Sequence, residues 1–281
     1  MQPKLGILAG SGDLPVRIIE TCCESGREFF VVSFEGQTPS STVFPRSGRE
    51  IPHVWIHLGE MGLAIDNLHQ NEVVEIVMAG AVKRPSLTNL EPDTWTAAFL
   101  EKIGHAAYGD DALFSALIQA LEQDEGFRVV GAESLLPDIK AKEGPYGRIE
   151  PDDLARRDIA RGIDVALQIG RMDVGQGAVV QEGVVLAVEA LEHTDAMLDR
   201  CRDLHRDGPG GVLVKVSKPG QEDRADLPAI GVTTVQNAKR AGLRGIAVEA
   251  GGALIIDPEA VGEAANAAGL FVIGVDVKDR T

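Results

Sequence analysis

Residues 5–19 read Leu5-Gly6-Ile7-Leu8-Ala9-Gly10-Ser11-Gly12-Asp13-Leu14-Pro15-Val16-Arg17-Ile18-Ile19, and this passage decides the fold. Leu5 to Ala9 is a short apolar run without polar alternation, as expected of a strand buried on both faces of a sheet. Gly10 to Pro15 breaks the run. Pro15 suits the first turn of a helix, where a missing N–H has no partner to lose. Beyond it Val16, Ile18, Ile19, Cys22 and Cys23 continue as a helical pattern. Strand, glycine-rich turn and helix in that order open an α/β unit. The alternation continues with strands expected at Phe29–Phe34, His53–Leu58, Val73–Ala79 and Phe127–Gly131, and helices over Gly59–Gln70, Asp93–Ile103 and Ala112–Gln123. Residues 1–136 are therefore predicted to form a doubly wound, Rossmann-like parallel sheet.

Residues 137–153 carry Pro137, Gly144, Pro145, Gly147 and Pro151 among charges, and read as a linker. Residues 154–281 are predicted to form a second, mixed α/β domain. Its long first helix runs from about Asp152 to Ile169. Strands follow at Ala178–Val180 and Val184–Val188 around a Gly183 turn, then a helix over Glu192–Leu204 and a strand at Val212–Val216. A helix at Val232–Ala241, strands at Gly245–Glu249 and Ala253–Ile256, a helix at Pro258–Ala268 and a strand at Leu270–Val275 complete it.

At 281 residues the chain suits two domains, and 44% hydrophobic content lets each bury a core. The net charge of -16 repels nucleic acid and anionic bilayers at long range, so an anionic ligand needs a local basic pocket. Cys22, Cys23 and Cys201 give an odd count with no CxxC spacing, which fits no disulfide framework and points to a reducing cytoplasm. The chain starts directly on a strand rather than a signal peptide, and no apolar run approaches the ~20 residues that span a bilayer. Six histidines form no zinc-ligand pattern.

Several passages can carry chemistry. Gly10-Ser11-Gly12-Asp13-Leu14 places backbone N–H groups at a helix N-terminus, where a phosphate is favoured; a plain tight turn is the other reading. The dinucleotide fingerprint wants a third glycine where Pro15 stands, so NAD, with Glu35 on a ribose, is the weaker alternative. Ala79, Gly80, Val82, Lys83 and Arg84 follow a central strand, at the carboxyl edge where open α/β sheets bind ligands; a solvated basic pair is the bland reading. Gly109-Asp110-Asp111 reads as a helix cap with a first-turn acid, or as a metal or ribose contact through Asp111. Thr194 and Asp195 either cap a helix or touch a ligand.

The most specific passage is Val212 to Gly231, VLVKVSKPGQEDRADLPAIG. A buried strand breaks into a loop dense with charge. Lys215 and Lys218 can clamp phosphate oxygens, and Gln221 and Arg224 can orient them. Asp226 can hold Mg²⁺ or take a proton from water. A hard cation takes one or two carboxylates together with phosphate oxygens, which fits few acids beside many phosphate donors. A surface salt-bridge loop is the alternative.

LAGSGDLP, MAGAVKRP, GDDALF, AVEALEHTDAML, KPGQEDRADLPAIG and GIAVEAGGALII occur in that order. Together they resemble the LpxI-type UDP-2,3-diacylglucosamine pyrophosphatase family over nearly the whole chain. The family's loop usually reads KPGQDxRxDxP; Glu222 replaces the first aspartate, while Arg224 and Asp226 match. The resemblance implies Mg²⁺-dependent hydrolysis of UDP-2,3-diacylglucosamine to UMP and 2,3-diacylglucosamine 1-phosphate (lipid X), in lipid A synthesis. It also implies a homodimer. The amino-terminal domain would hold UDP through Gly10, Ser11, Gly12, Leu14, Ala79, Gly80, Val82, Lys83, Arg84 and Asp111. The carboxy-terminal domain would carry the acyl chains and the chemistry, with Asp226, Lys215 and Lys218 catalytic, Asp226 on the metal, and Thr194, Asp195, Gln221 and Arg224 on substrate. A membrane-borne substrate with no anchor on the chain implies peripheral membrane contact at most. An NAD(P)-dependent oxidoreductase and a non-enzymatic nucleotide-sugar or lipid carrier are the competing functions.

Overall fold

The computed structural model describes residues 2–45, 47–83, 90–104, 109–204, 206–224 and 227–277. The chain divides into two compact units, Met1–Leu136 with Glu222–Asp226, and Pro137–Gln221 with Leu227–Thr281.

The first unit runs β1 (Leu5–Ala9), α1 (Asp13–Ser25), β2 (Phe29–Phe34), β3 (His53–Ile56), α2 (Met61–Gln70), β4 (Glu75–Ala79), α3 (Thr94–Ile103), α4 (Asp110–Gln119), β5 (Arg128–Val129) and α5 (Ala132–Leu135). The strands order β3-β2-β1-β4-β5 and are all parallel. The order reverses beside β1, which makes the β1–β4 gap the switch point of a doubly wound sheet. All five residues of β1 are buried, as its apolar run requires between two helical layers. One face packs Leu8, Phe30, Val32 and Ile76 against Ile65 and Leu68 of α2 and Ile118 of α4. On α1, Leu14, Pro15, Ile18, Ile19 and Cys22 are buried.

Asp93 caps α3, accepting from the Thr96 N–H at 2.8 Å and, through its other oxygen, from the Leu63 N–H at 3.2 Å. The helix expected to reach Gln123 passes into a π turn over Ala120–Asp124. The strand expected at Phe127–Gly131 is only two residues long.

The second unit runs β6 (Gly144–Pro145), α6 (Asp153–Arg171), β7 (Gly177–Gln181), β8 (Val184–Val188), α7 (His193–Cys201), β9 (Val212–Lys215), β10 (Ala229–Ile230), α8 (Val232–Arg240), β11 (Gly245–Glu249), β12 (Leu254–Ile255), α9 (Pro258–Ala268) and β13 (Phe271–Val275). Its main sheet orders β6-β13-β11-β9-β7-β8. The centre, β13, β11 and β9, is parallel, while β6, β7 and β8 pair antiparallel. β10 and β12 form a separate parallel pair. The strand expected at Ala253–Ile256 therefore lies outside the main sheet.

Both faces of this sheet are covered. Leu213, Ile246, Val248 and Val272 pack with Met197, Val235 and Val261 of α7, α8 and α9. Val212, Val214, Ala247 and Ile273 pack with Ile159, Ile163 and Ala166 of α6. A Cβ on Gly162 would lie 2.4 Å from a Val214 methyl, so this glycine sets how closely α6 approaches β9. Asp158, 1% exposed, accepts from the Glu182 and Gly183 N–H groups at 3.0 and 2.7 Å and closes the β7–β8 turn.

The stretch read as a linker joins this unit through backbone pairing. Ala141 N–H donates to Ala253, Tyr146 N–H donates to Val272, and β6 pairs with β13. Proline and glycine suit such an edge, where half the backbone groups face away from the sheet. Among the described residues, no helix is long and apolar enough to cross a membrane.

Candidate functional site

At the carboxyl edge of the first sheet, the loop after β1 is laced to the loop after β4. Gly10 N–H donates to the Ala79 carbonyl at 2.7 Å, Ser11 N–H to Ala81 at 2.8 Å, and Ala81 N–H back to Ser11 at 3.0 Å. The Ser11 hydroxyl also donates to the Ala81 carbonyl at 2.9 Å. Two of the N–H groups expected to receive an anion are thus committed to the protein. What remains is the start of α1. Its N-cap, Gly12 (φ 95), supplies no side-chain cap, and first-turn N–H groups lack an intrahelical partner.

A Cβ on Gly80, itself at φ 87, would meet the Ser11 carbonyl oxygen at 2.4 Å and Pro15 Cγ at 2.9 Å. Pro15 therefore provides the close contact that a third glycine would have given in the dinucleotide pattern, but toward the neighbouring loop. Lys83 is exposed, and its backbone exchanges two hydrogen bonds with the Gln37 amide, at 2.9 and 3.1 Å. Ala79 ends β4 in the core and Leu14 is 8% exposed, so either can serve a ligand only through its backbone. Val82 is half-buried. Asp111 lies in the first turn of α4, whose N-cap is Gly109 rather than an aspartate. Glu35 is exposed just beyond β2. Arg84 lies outside the described residues.

Glu222 and Arg224 group with the first unit. Arg224 donates through Nε and Nη2 to the two Glu222 oxygens at 2.9 and 3.1 Å, and through Nη1 to Glu122 at 2.9 Å. The hydrogen bond from Arg224 holds the Glu222 carboxyl below its ordinary range. Glu222 therefore fixes the guanidinium that sequence reasoning had assigned to substrate.

In the second unit, Lys215 closes β9. Period-two alternation puts it on the face of Leu213, toward α7, and there it donates to the Thr194 hydroxyl oxygen at 2.6 Å. Thr194 in turn donates to Glu189 Oε1 at 2.5 Å, and Lys215 Nζ lies 3.6 Å from that same oxygen. Both charged side chains are almost wholly buried. Thr194 and Asp195 do not cap α7, which has Glu192 at its N-cap and enters through His193 at φ 64. Asp195 accepts from Asn237 at 2.6 Å instead.

Just beyond β9, Ser217 donates through N–H and hydroxyl to Glu249 Oε2 at 2.8 and 2.7 Å. Lys218 donates to Asp173 at 2.8 Å. Gln221 accepts the Lys218 N–H at 2.8 Å and donates to Gln176 at 3.2 Å. At the carboxyl edge of this sheet Lys215 faces Glu189 and Thr194, and Lys218 faces Asp173 with Gln221 on its backbone N–H, so each buried ammonium group has its own carboxylate. Such preorganised donors stabilise developing negative charge on phosphate oxygens.

Asp226 lies outside the described residues. Sequence reasoning missed Asp173, Gln176, Glu189, Ser217 and Glu249. Glu189 and Glu249 do stand in the blocks AVEALEHTDAML and GIAVEAGGALII; Asp173 and Gln176 have no sequence signal and are recruited only by chain folding.

The family model described as LpxI N-terminal domain matches residues 4–139, and the LpxI C-terminal domain model matches residues 142–273. A curated relative from Caulobacter vibrioides, named UDP-2,3-diacylglucosamine pyrophosphatase LpxI, is 42% identical over 285 residues, covering 99% of each chain. A solved structure, CobK precorrin-6A reductase, aligns over 98% of this chain and 88% of its own, at a TM-score of 0.32 and 14% identity, too weak a likeness to bear on function.

Proposed function

The chain belongs to the LpxI family, and we propose that it hydrolyses the pyrophosphate bond of UDP-2,3-diacylglucosamine, releasing UMP and lipid X. The observation that carries this reading is the pair of buried lysines, Lys215 and Lys218, at the carboxyl edge of the second sheet in a chain of net charge -16. A pyrophosphate diester is anionic, and cleavage adds charge to the departing phosphate. One water oxygen joins one phosphorus, the bridging bond breaks, and both products leave as phosphate monoesters. Lys215 and Lys218 stabilise the oxygens that gain charge, Thr194 and Gln221 orient them, and Asp226 takes the water proton.

The UDP end belongs to the first unit, where the α1 N-terminus, Gly80 and Lys83 offer backbone donors and a cation to phosphate. The acyl end belongs to the second unit. Exposed Met172, Val174 and Leu191 sit on the loops that bear Asp173 and Glu189, and supply apolar surface there.

In this reading Asp226 would hold Mg²⁺. Among the described residues no three His, Cys, Asp or Glu side chains gather as a cage, and Asp173 and Glu189 each face a lysine. A cation held by Asp226 and by the substrate's own phosphate oxygens needs no cage. When bound there it would neutralise phosphate charge. Homodimer assembly and peripheral membrane contact belong to the same reading.

The test is incubation of the purified protein with UDP-2,3-diacylglucosamine, with and without Mg²⁺ and with chelator. UMP and lipid X are expected in equal amounts with Mg²⁺, falling to background with chelator. No UMP under any divalent ion, with substrate still bound, would favour a carrier. Saturable NADH binding with no response to UDP-sugars would favour the oxidoreductase.

A further inference from the structure

Glu189 has no part in the reaction as described, yet it holds two of the site's side chains at once. It follows β8 and is 5% exposed. A hydroxyl has a single proton. With the Thr194 proton committed to Glu189 Oε1 at 2.5 Å, the Thr194 oxygen can only accept from Lys215, as it does at 2.6 Å. The three groups therefore have one consistent arrangement of protons, and neither Thr194 nor Lys215 is free to turn. Lys215 uses one of its three N–H groups on Thr194.

The chain makes room for this carboxylate. A Cβ on Gly175 would lie 2.1 Å from the Glu189 carbonyl oxygen, and one on Gly177 would lie 2.7 Å from Glu189 Oε2. That second oxygen is buried without a hydrogen-bond partner among the described residues. A buried, unpartnered carboxylate oxygen is costly. The acid neutralises the buried Lys215 ammonium, and because its Oε1 also accepts the Thr194 proton it sets the direction of both side chains.

We propose that Glu189 is a positioning residue of the cleavage site. It aims the Thr194 hydroxyl and the Lys215 ammonium at a substrate phosphate and does not touch the reacting atoms. This rests on the pyrophosphatase reading above. In its absence Thr194 rotates and Lys215 is released from its buried counter-charge, and a displacement of about 1 Å at a reacting centre costs on the order of 10²-fold in rate.

Steady-state kinetics of UMP release with Mg²⁺ test it on the full-length protein. Glu189→Gln keeps the shape and removes the charge. It is expected to lower kcat at least about tenfold with KM nearly unchanged and an unchanged circular dichroism spectrum, while the melting temperature falls because the buried Lys215 loses its counter-charge. Glu189→Asp keeps the charge but draws it back by one methylene, and is expected to lose kcat as well. Wild-type kcat in the glutamine variant, or a change confined to KM, overturns the proposal. If the glutamine variant does not fold, the aspartate variant decides by the same criteria. Active wild type beside an unimpaired variant overturns this proposal alone, whereas wild type that releases no UMP overturns the function on which it rests.

Discussion

Lys218 Nζ lies 2.8 Å from Asp173 Oδ1, a pair in which the lysine side chain is 6% exposed and the aspartate 26%. Asp173 holds this place from a backbone at φ 53, which aspartate tolerates better than alanine. Breaking a buried ion pair costs several kcal/mol, and the partial exposure of Asp173 lowers that figure. Asp173→Ala is expected to lose about 1–3 kcal/mol in urea unfolding. Asp173→Gly loses the same pair but gains backbone freedom at a positive φ, and should lose less. Equal losses would show that the backbone there is unstrained.

The laced loops of the first unit make Gly80 intolerant of a side chain. A Cβ would fall 2.4 Å from the Ser11 carbonyl oxygen, which is backbone and cannot swing aside. Gly80→Ala should destabilise by about 1–3 kcal/mol and raise KM for the UDP-sugar more than it lowers kcat. A kinetic defect confined to kcat would separate this loop from the nucleotide.

Asp226 takes the water proton in the proposed reaction. Asp226→Ala should bind UDP-2,3-diacylglucosamine and lose at least ~10²-fold in turnover, the scale of a missing general base. Calorimetric binding with single-turnover kinetics separates the two effects, and near-normal turnover would remove Asp226 from the chemistry.

Burial pushes the Cys22 and Cys201 thiols up to about 11, and they are 3% and 0% exposed. Cys23 is half-buried. Ellman's reagent at pH 8 should titrate one thiol in the folded protein and three in guanidinium. A fast second thiol in the native state would show that α1 or α7 opens.

Burial works to raise the Asp93 carboxyl, but hydrogen bonds from Thr96, Leu63 and Gly62 outweigh it and hold the group below its ordinary value of 3.8. A carboxyl lowered on folding stabilises the protein above its unfolded pKa, and that contribution fades as pH falls through the folded value. Asp93→Ala should cost about 1 kcal/mol at pH 7, and its deficit against wild type should shrink below about pH 3.8. A deficit that is the same at pH 3 and pH 7 would mean that the carboxylate charge plays no part.

Much of the fold is legible in the sequence. Buried strands of a parallel sheet are continuous aliphatic runs, so Leu5–Ala9, Phe29–Phe34 and Gly245–Glu249 identify themselves, and glycine-rich turns and lysines after strands mark the carboxyl edges. Short pieces were not legible. β6 and β10 are two residues each, held by partners far along the chain rather than by local preference, and the proline-rich stretch before α6 reads as a linker because edge pairing leaves no apolar signature.

By itself the sequence determined the α/β class, the two-part organisation, the family and the lysine-bearing loop, because each is written in local periodicity or in ordered blocks of residues. Only the tertiary structure decided that Gly10 and Ser11 spend their N–H groups on the loop after β4, that Arg224 is gripped by Glu222 and Glu122, and that Glu189 and Asp173 stand opposite the two buried lysines. Except for Glu222 and Arg224, two residues apart, those partners are distant along the chain, up to 102 residues for Glu122 and Arg224, and side-chain direction at such separations is set by packing, which no window of sequence contains.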